Sequence, residues 1–200
     1  MYWLLTLAES SSQSRSVALY AIFAALIAVL SITSIPLPPP LAYFSFVPIV
    51  IIFLGITLKP LRAFAICAVG AVIGELLADI IFGWASYLWL YLPGAFVARG
   101  LEGLVLSLLE KAFVRNKELS EKSKRLREAV IITIGGIWEF FGYVTVASVF
   151  TGMDYVATII YYQWVLIDLV LIPAGIAVLY GVRKYYKTEF FDKLLFNDPV

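Results

Sequence analysis

Histidine is absent from this chain of 200 residues, and cysteine occurs once, at Cys67. Zinc, nickel and cobalt centres built from imidazole and thiolate are therefore excluded, and no metal ligand is assigned. Hydrolytic mechanisms that need a Ser-His, Cys-His or His-metal pair are excluded with them. A single cysteine permits no internal disulfide. Set in an apolar run, Cys67 reads as a buried, inert thiol. The GxxxxGK[ST] phosphate loop is missing, so ATP hydrolysis that drives this chain would belong to a separate subunit. The chain is expected to do no chemistry of its own and to carry no cofactor. No nucleic-acid partner is expected.

Charge is scarce as well. Charged residues make up 14% of the chain against 62% hydrophobic, and the mean hydropathy is +0.93. Soluble domains carry about 25% charged residues. The composition is that of an integral membrane protein whose first partner is the lipid bilayer. A span needs about 20 mainly apolar residues. Six segments qualify: Val17–Ile35, Leu41–Leu58, Leu61–Phe82, Tyr87–Leu109, Ala129–Phe150 and Val156–Gly181. The expected fold is all-α, an integral membrane six-helix bundle forming a single transmembrane domain over residues 1–200. The second segment is short and holds Pro48, which predicts a kink or a tilted, shorter helix. The opening MYWLLTLA lacks a basic n-region and is read as an interfacial or loosely ordered N-terminus.

The connections at Ser34–Pro40, Gly83–Ser86 and Thr151–Tyr155 contain no Lys or Arg, and every basic residue except Arg99 falls on the other side. The positive-inside rule then predicts a multi-pass protein of the plasma membrane with both termini cytoplasmic. The mixed-charge segment Glu110–Glu128 extends helices four and five into water or forms a surface helix. It serves as an orientation signal or as a docking surface for a partner or anionic lipid. The run PLPPP at 36–40 is a stiff connection, either a simple turn or a lid.

Six ionisable residues nevertheless lie within the spans: Glu75, Asp79, Arg99, Glu102, Glu139 and Asp168. Each costs about 2.5–3.5 kcal/mol at a helix centre facing lipid, so they must face one another, water or a ligand. Glu75 and Asp79 are i,i+4 and share one face of helix three. Arg99 and Glu102 are i,i+3 and share one face of helix four. One cation faces five carboxyl groups. Either several acids carry protons, or the cavity takes a donor-rich or cationic ligand. A structural ion-pair network is the alternative. Aromatic residues including Tyr161 and Trp164 gather toward the outer side as an interfacial belt. Trp138, beside Glu139, or Trp164 is placed to stack a flat heterocycle or hold a cation. Small residues recur every four positions at Gly70, Gly74 and Ala78, at Ala21 and Ala25, and at Ala24 and Ala28. They allow close packing within the bundle or against another membrane subunit.

The segments GAVIGELLADIIFG (residues 70–83) and LPGAFVARGLEGLVLSLLEK (residues 92–111) resemble the S components of energy-coupling factor (ECF) vitamin transporters. Six spans, inside termini and a length near 200 residues agree with that resemblance. It implies a substrate-binding membrane subunit that captures a small-molecule micronutrient from outside. Such a subunit docks onto a transmembrane T component driven by two ATPase subunits. It implies that a small-residue face of helix one meets the T component, through Ala21 and Ala25 or through Ala24 and Ala28. It also implies ligand contacts from helices four to six, at Glu102, Glu139, Trp164 and Asp168, with Tyr161 nearby. Lack of histidine departs from members that chelate metal, so nickel and cobalt are not expected as cargo. The acid excess leans toward a cationic, thiamine-like ligand. A proton-coupled secondary carrier, an intramembrane enzyme using carboxylates alone, and a structural or assembly subunit are the competing readings.

Overall fold

In a computed structural model of the chain, the described residues are 2–36, 43–83, 88–115, 117–152 and 169–185. Among them are six helices: α1 (Tyr2–Ile32), α2 (Val47–Thr57), α3 (Pro60–Ile81), α4 (Leu88–Glu110), α5 (Glu121–Thr151) and α6 (Leu169–Tyr185). The remaining pairing is a two-residue antiparallel ladder between β1 (Ile35–Pro36) and β2 (Tyr43–Phe44). The stretches Pro60–Ile81, Tyr91–Arg115 and Glu121–Phe150 are long and apolar enough to cross a membrane, and three further apolar helices are shorter.

Helices α3 and α4 match the expected third and fourth spans to within a residue at each end. Elsewhere the boundaries differ, for local reasons. The opening stretch is helical from Tyr2 rather than loosely ordered. No Gly or Pro interrupts residues 2–32, and extending a helix already nucleated by an apolar run costs little. The second span is corrected most. Residues 43–44 pair in the ladder, and α2 begins only at Val47, with Pro48 in its first turn. Proline there lacks only an N–H that has no intrahelical partner, so it starts the helix and no kink forms within it. At 11 residues, α2 covers about 16 Å, half of the hydrocarbon core. Helix α5 starts eight residues before the expected span, at Glu121. Its Ser120 cap accepts a 3.3 Å hydrogen bond from the Ser123 N–H. Of the sixth span, residues 156–168 lie outside the described residues.

Helix α4 is central. It packs on α3, α5 and α2, while α1 lies against α3 and α6 against α2. Leu106 of α4 is fully buried and is received by glycines on two neighbours. A Cβ at Gly55 would lie 2.6 Å from Leu106 Cβ, and one at Gly135 would lie 2.5 Å from Leu106 Cδ2. Glycine at both positions thus lets α2 and α5 close on α4. Between α1 and α3, Gly70 meets Ala24 and Ile27, and Gly74 meets Ala28 and Ser31.

The end of the bundle that carries Lys59, Lys111 and Arg115 is closed by polar bonds to helix termini. Arg115 Nη2 donates to the Ile56 carbonyl (2.9 Å), Ser107 Oγ to that of Leu58 (2.6 Å), and Arg127 Nη1 to that of Phe113 (2.9 Å). These carbonyls lie at the ends of α2 and of the π-helical turn Lys111–Arg115 that continues α4, where backbone acceptors lose their helical partners. The single O–H of Tyr180 on α6 is shared between the Arg125 carbonyl and the buried Glu128 carboxylate, both 3.2 Å from its oxygen. The basic segment between α4 and α5 thus also terminates helices and ties them together.

Candidate functional site

Arg99 lies about 16 Å along α4 from Glu110, near half the depth of a hydrocarbon core of about 30 Å. Its position on the helix puts it opposite α5. There a Cβ on Gly142 would fall 2.7 Å from Ala98 Cα, so the two backbones nearly touch. That approach brings Glu139, one turn before Gly142, against Arg99. Arg99 Nη1 and Glu139 Oε1 form a direct ion pair. Glu102 Oε2 lies 3.9 Å from the same nitrogen. Both glutamates are buried, and the Arg99 side chain is 12% exposed. One guanidinium therefore stands between two carboxylates on different helices, where the low dielectric makes their attraction strong and their desolvation costly.

Tyr143, one turn beyond Glu139 on α5, completes this arrangement. Arg99 Cζ lies 5.6 Å from its ring centroid, within the range of a cation–π interaction. The ring is seated against α4, where a Cβ on Gly94 would lie 3.0 Å from Tyr143 Cδ1. Tyr143 is absent from the sequence-based candidates. The i,i+4 step from Glu139 would have pointed to it.

On α3, Glu75 and Asp79 are both buried, as their shared face predicts. The α3–α4 contact depends on Gly100, seated on Phe64 and Ala68, and on Gly103, seated on Ala63 and Cys67. Cys67 itself is fully buried. Of the sequence candidates, Arg99, Glu102 and Glu139 therefore meet directly, and Glu75 and Asp79 are buried on α3, which packs on α4. Trp138 does not join them. It is 43% exposed, because one residue of helix turns it about 100° away from Glu139. Tyr161, Trp164 and Asp168 lie outside the described residues. Glu110 and Glu128, at the other end of the bundle, are buried acids outside the sequence-predicted cluster. They sit in a segment whose many Lys and Arg residues make it read as solvated.

The helix-one registers also separate. Ala24 and Ala28 are taken up by Gly70 and Gly74 of α3, whereas Ala21 and Ala25 are exposed on the outer side of α1. Among the described residues, no cluster of His, Cys, Asp and Glu is arranged to hold a metal ion. The acids of the cluster instead offer hydrogen-bond acceptors around one fixed cation.

No curated protein and no solved structure matches the chain. The family model described as "ECF-type riboflavin transporter, S component" matches residues 11–182, a stretch that holds every residue of the buried cluster. The apolar helices, the buried charges at their centre and this match together place the chain in the family of ECF-type riboflavin transporter S components.

Proposed function

We propose that this chain is the substrate-binding subunit of an ECF transporter and captures riboflavin from outside the cell for ATP-driven uptake. The observation that carries the reading is the buried polar cluster around Arg99, set in apolar helices within the matched region. Buried charge at this depth is expensive, and a ligand pocket is the setting in which such groups are retained. The family favours a flavin over the cationic ligand toward which the acid excess leans. Riboflavin is uncharged, flat and rich in donors and acceptors, and fixed carboxylates with one guanidinium suit it.

The distribution of Lys and Arg supports six crossings of the plasma membrane with both termini in the cytoplasm. The chain has no nucleotide-binding loop, so the energy would come from partner ATPase subunits through a T component. Titration of the purified protein in detergent with riboflavin tests the reading. Saturable quenching of protein and flavin fluorescence is expected, with a Kd of about 1 μM or tighter, roughly −8 kcal/mol. A flat titration would refute it.

The exposed register of α1 supports Ala21 and Ala25 as the face that meets the T component. Ala25→Trp is expected to leave flavin binding intact and to abolish co-purification with the T component. Ala24→Trp is expected to lower the yield of folded protein, because Ala24 backbone already meets Gly70 at van der Waals distance. Co-purification that survives Ala25→Trp would rule this face out.

A further inference from the structure

Asp79 lies in the last turn of α3 and has no exposed surface. Neither of its carboxylate oxygens has a hydrogen-bond partner among the described residues. Each feature of that placement disfavours a purely structural carboxylate. Burial strips its water. The C-terminal turn of a helix carries the negative pole of the helix dipole, which opposes an anion there, and no basic residue occupies that turn. Buried polar groups are almost all paired in native proteins, so an orphan of this kind needs an explanation. Glu102 and Glu139 have theirs in Arg99.

Position supplies the explanation for Asp79. It is one turn, about 6 Å, from Glu75 on the same face of α3. Glu75 is itself buried on that face. Asp79 therefore extends the buried cluster by one turn, toward the end of the bundle opposite the basic one. A carboxylate accepts at both oxygens and donates nothing, so its natural partner is a pair of neighbouring hydroxyl donors, held by short charge-assisted bonds.

The geometry points to Asp79 as the acceptor subsite for the hydroxylated side arm of the ligand, and to that subsite as the selector against a phosphorylated arm. This rests on the flavin reading above. The arm of riboflavin is uncharged and carries adjacent hydroxyl groups. A phosphate on its end adds roughly two negative charges, which Glu75, Asp79, Glu102 and Glu139 would repel, with Arg99 the one cation among the described residues beside Glu102 and Glu139 to offset them.

Three ligands separate the possibilities: riboflavin, lumiflavin (the same ring system without the hydroxylated arm) and flavin mononucleotide. The wild-type protein is expected to bind riboflavin at least about tenfold more tightly than lumiflavin, the scale of one hydrogen bond to a charged group. Flavin mononucleotide should bind more weakly than riboflavin. In Asp79→Asn the riboflavin preference should shrink to about threefold or less, with lumiflavin affinity unchanged and the penalty for the phosphate reduced. Lumiflavin binding by the variant also reports that its fold is intact. If Asp79→Asn yields no folded protein, Asp79→Ser gives the same ratio. Equal weakening of riboflavin and lumiflavin, or no change in either, would overturn the subsite while leaving the flavin reading standing. A wild-type protein that binds none of the three overturns both.

Discussion

Arg99→Met is expected to lower the stability of the protein by about 3–5 kcal/mol and to abolish ligand binding. The substitution keeps most of the side-chain volume and removes the only cation that the described residues place between Glu102 and Glu139. Both carboxylates are buried, so neither regains water, and the cost is that of uncompensated charge rather than of one lost contact. Glu139→Gln should be milder, because Glu102 still balances Arg99 and a glutamine oxygen still accepts from the guanidinium. Combining Arg99→Met with Glu139→Met and Glu102→Met should recover much of the stability, since an apolar replacement of a whole buried ion pair is often tolerated. It should not recover binding. Thermal unfolding in detergent, followed by intrinsic fluorescence alongside flavin titration, measures both quantities. An Arg99→Met protein that melts with the wild type would show that the cluster carries no net charge to balance.

The second large effect is expected at Gly142. Valine there would place its Cβ 2.7 Å from the Cα of Ala98. A flexible side chain could move aside, but a helix backbone cannot, so α4 and α5 must separate. Overpacking of this kind costs about 1–3 kcal/mol and more where backbone is the obstacle. The separation has a second consequence. Ala98 adjoins Arg99, and Gly142 is one turn from Glu139, so the pair that defines the site is pulled apart by the same shift. Gly142→Val is therefore expected to lose stability and flavin affinity together. Gly181→Ala is the comparison: nothing lies within 4 Å of a Cβ there, and helical alanine is favoured over glycine by about 0.5–1 kcal/mol. Melting temperature and riboflavin Kd of the two variants decide the matter. A Gly142→Val protein with wild-type values would mean that α4 and α5 do not meet as described.

Where a helix was read correctly from the sequence, one physical signal covered its full length. The apolar runs of α3 and α4 end at charged or turn residues, and their limits agree with the structure to within a residue. Where a boundary was misjudged, hydropathy was blind to conformation. Tyr43–Phe46 is as apolar as a helix, and only the pairing of Tyr43 and Phe44 with Pro36 and Ile35 distinguishes it. The charged start of α5 is too polar for a hydropathy window to count as span, and it is the helical extension into water that its mixed charges allowed, begun at the Ser120 cap.

The site divides along the same line. Glu75 with Asp79, and Arg99 with Glu102, were legible as pairs because helical periodicity alone puts them on shared faces. That an ionised group this deep must find a partner was legible too, from the cost of charge in hydrocarbon. Which partner it finds was not. Glu139 reaches Arg99 only because Gly142 lets α5 close on α4, Tyr143 reaches it only because Gly94 leaves room for the ring, and Trp138 is turned away. The same holds for α1, where Ala24 and Ala25 are equivalent in sequence until Gly70 takes up one of them. By itself the sequence determined a membrane protein, the cost of its buried charges and the helix faces that carry them, since these follow from composition and from a period of 3.6 residues. Only the tertiary structure decided which faces meet, because that depends on how closely backbones approach at single glycines between residues far apart in the chain.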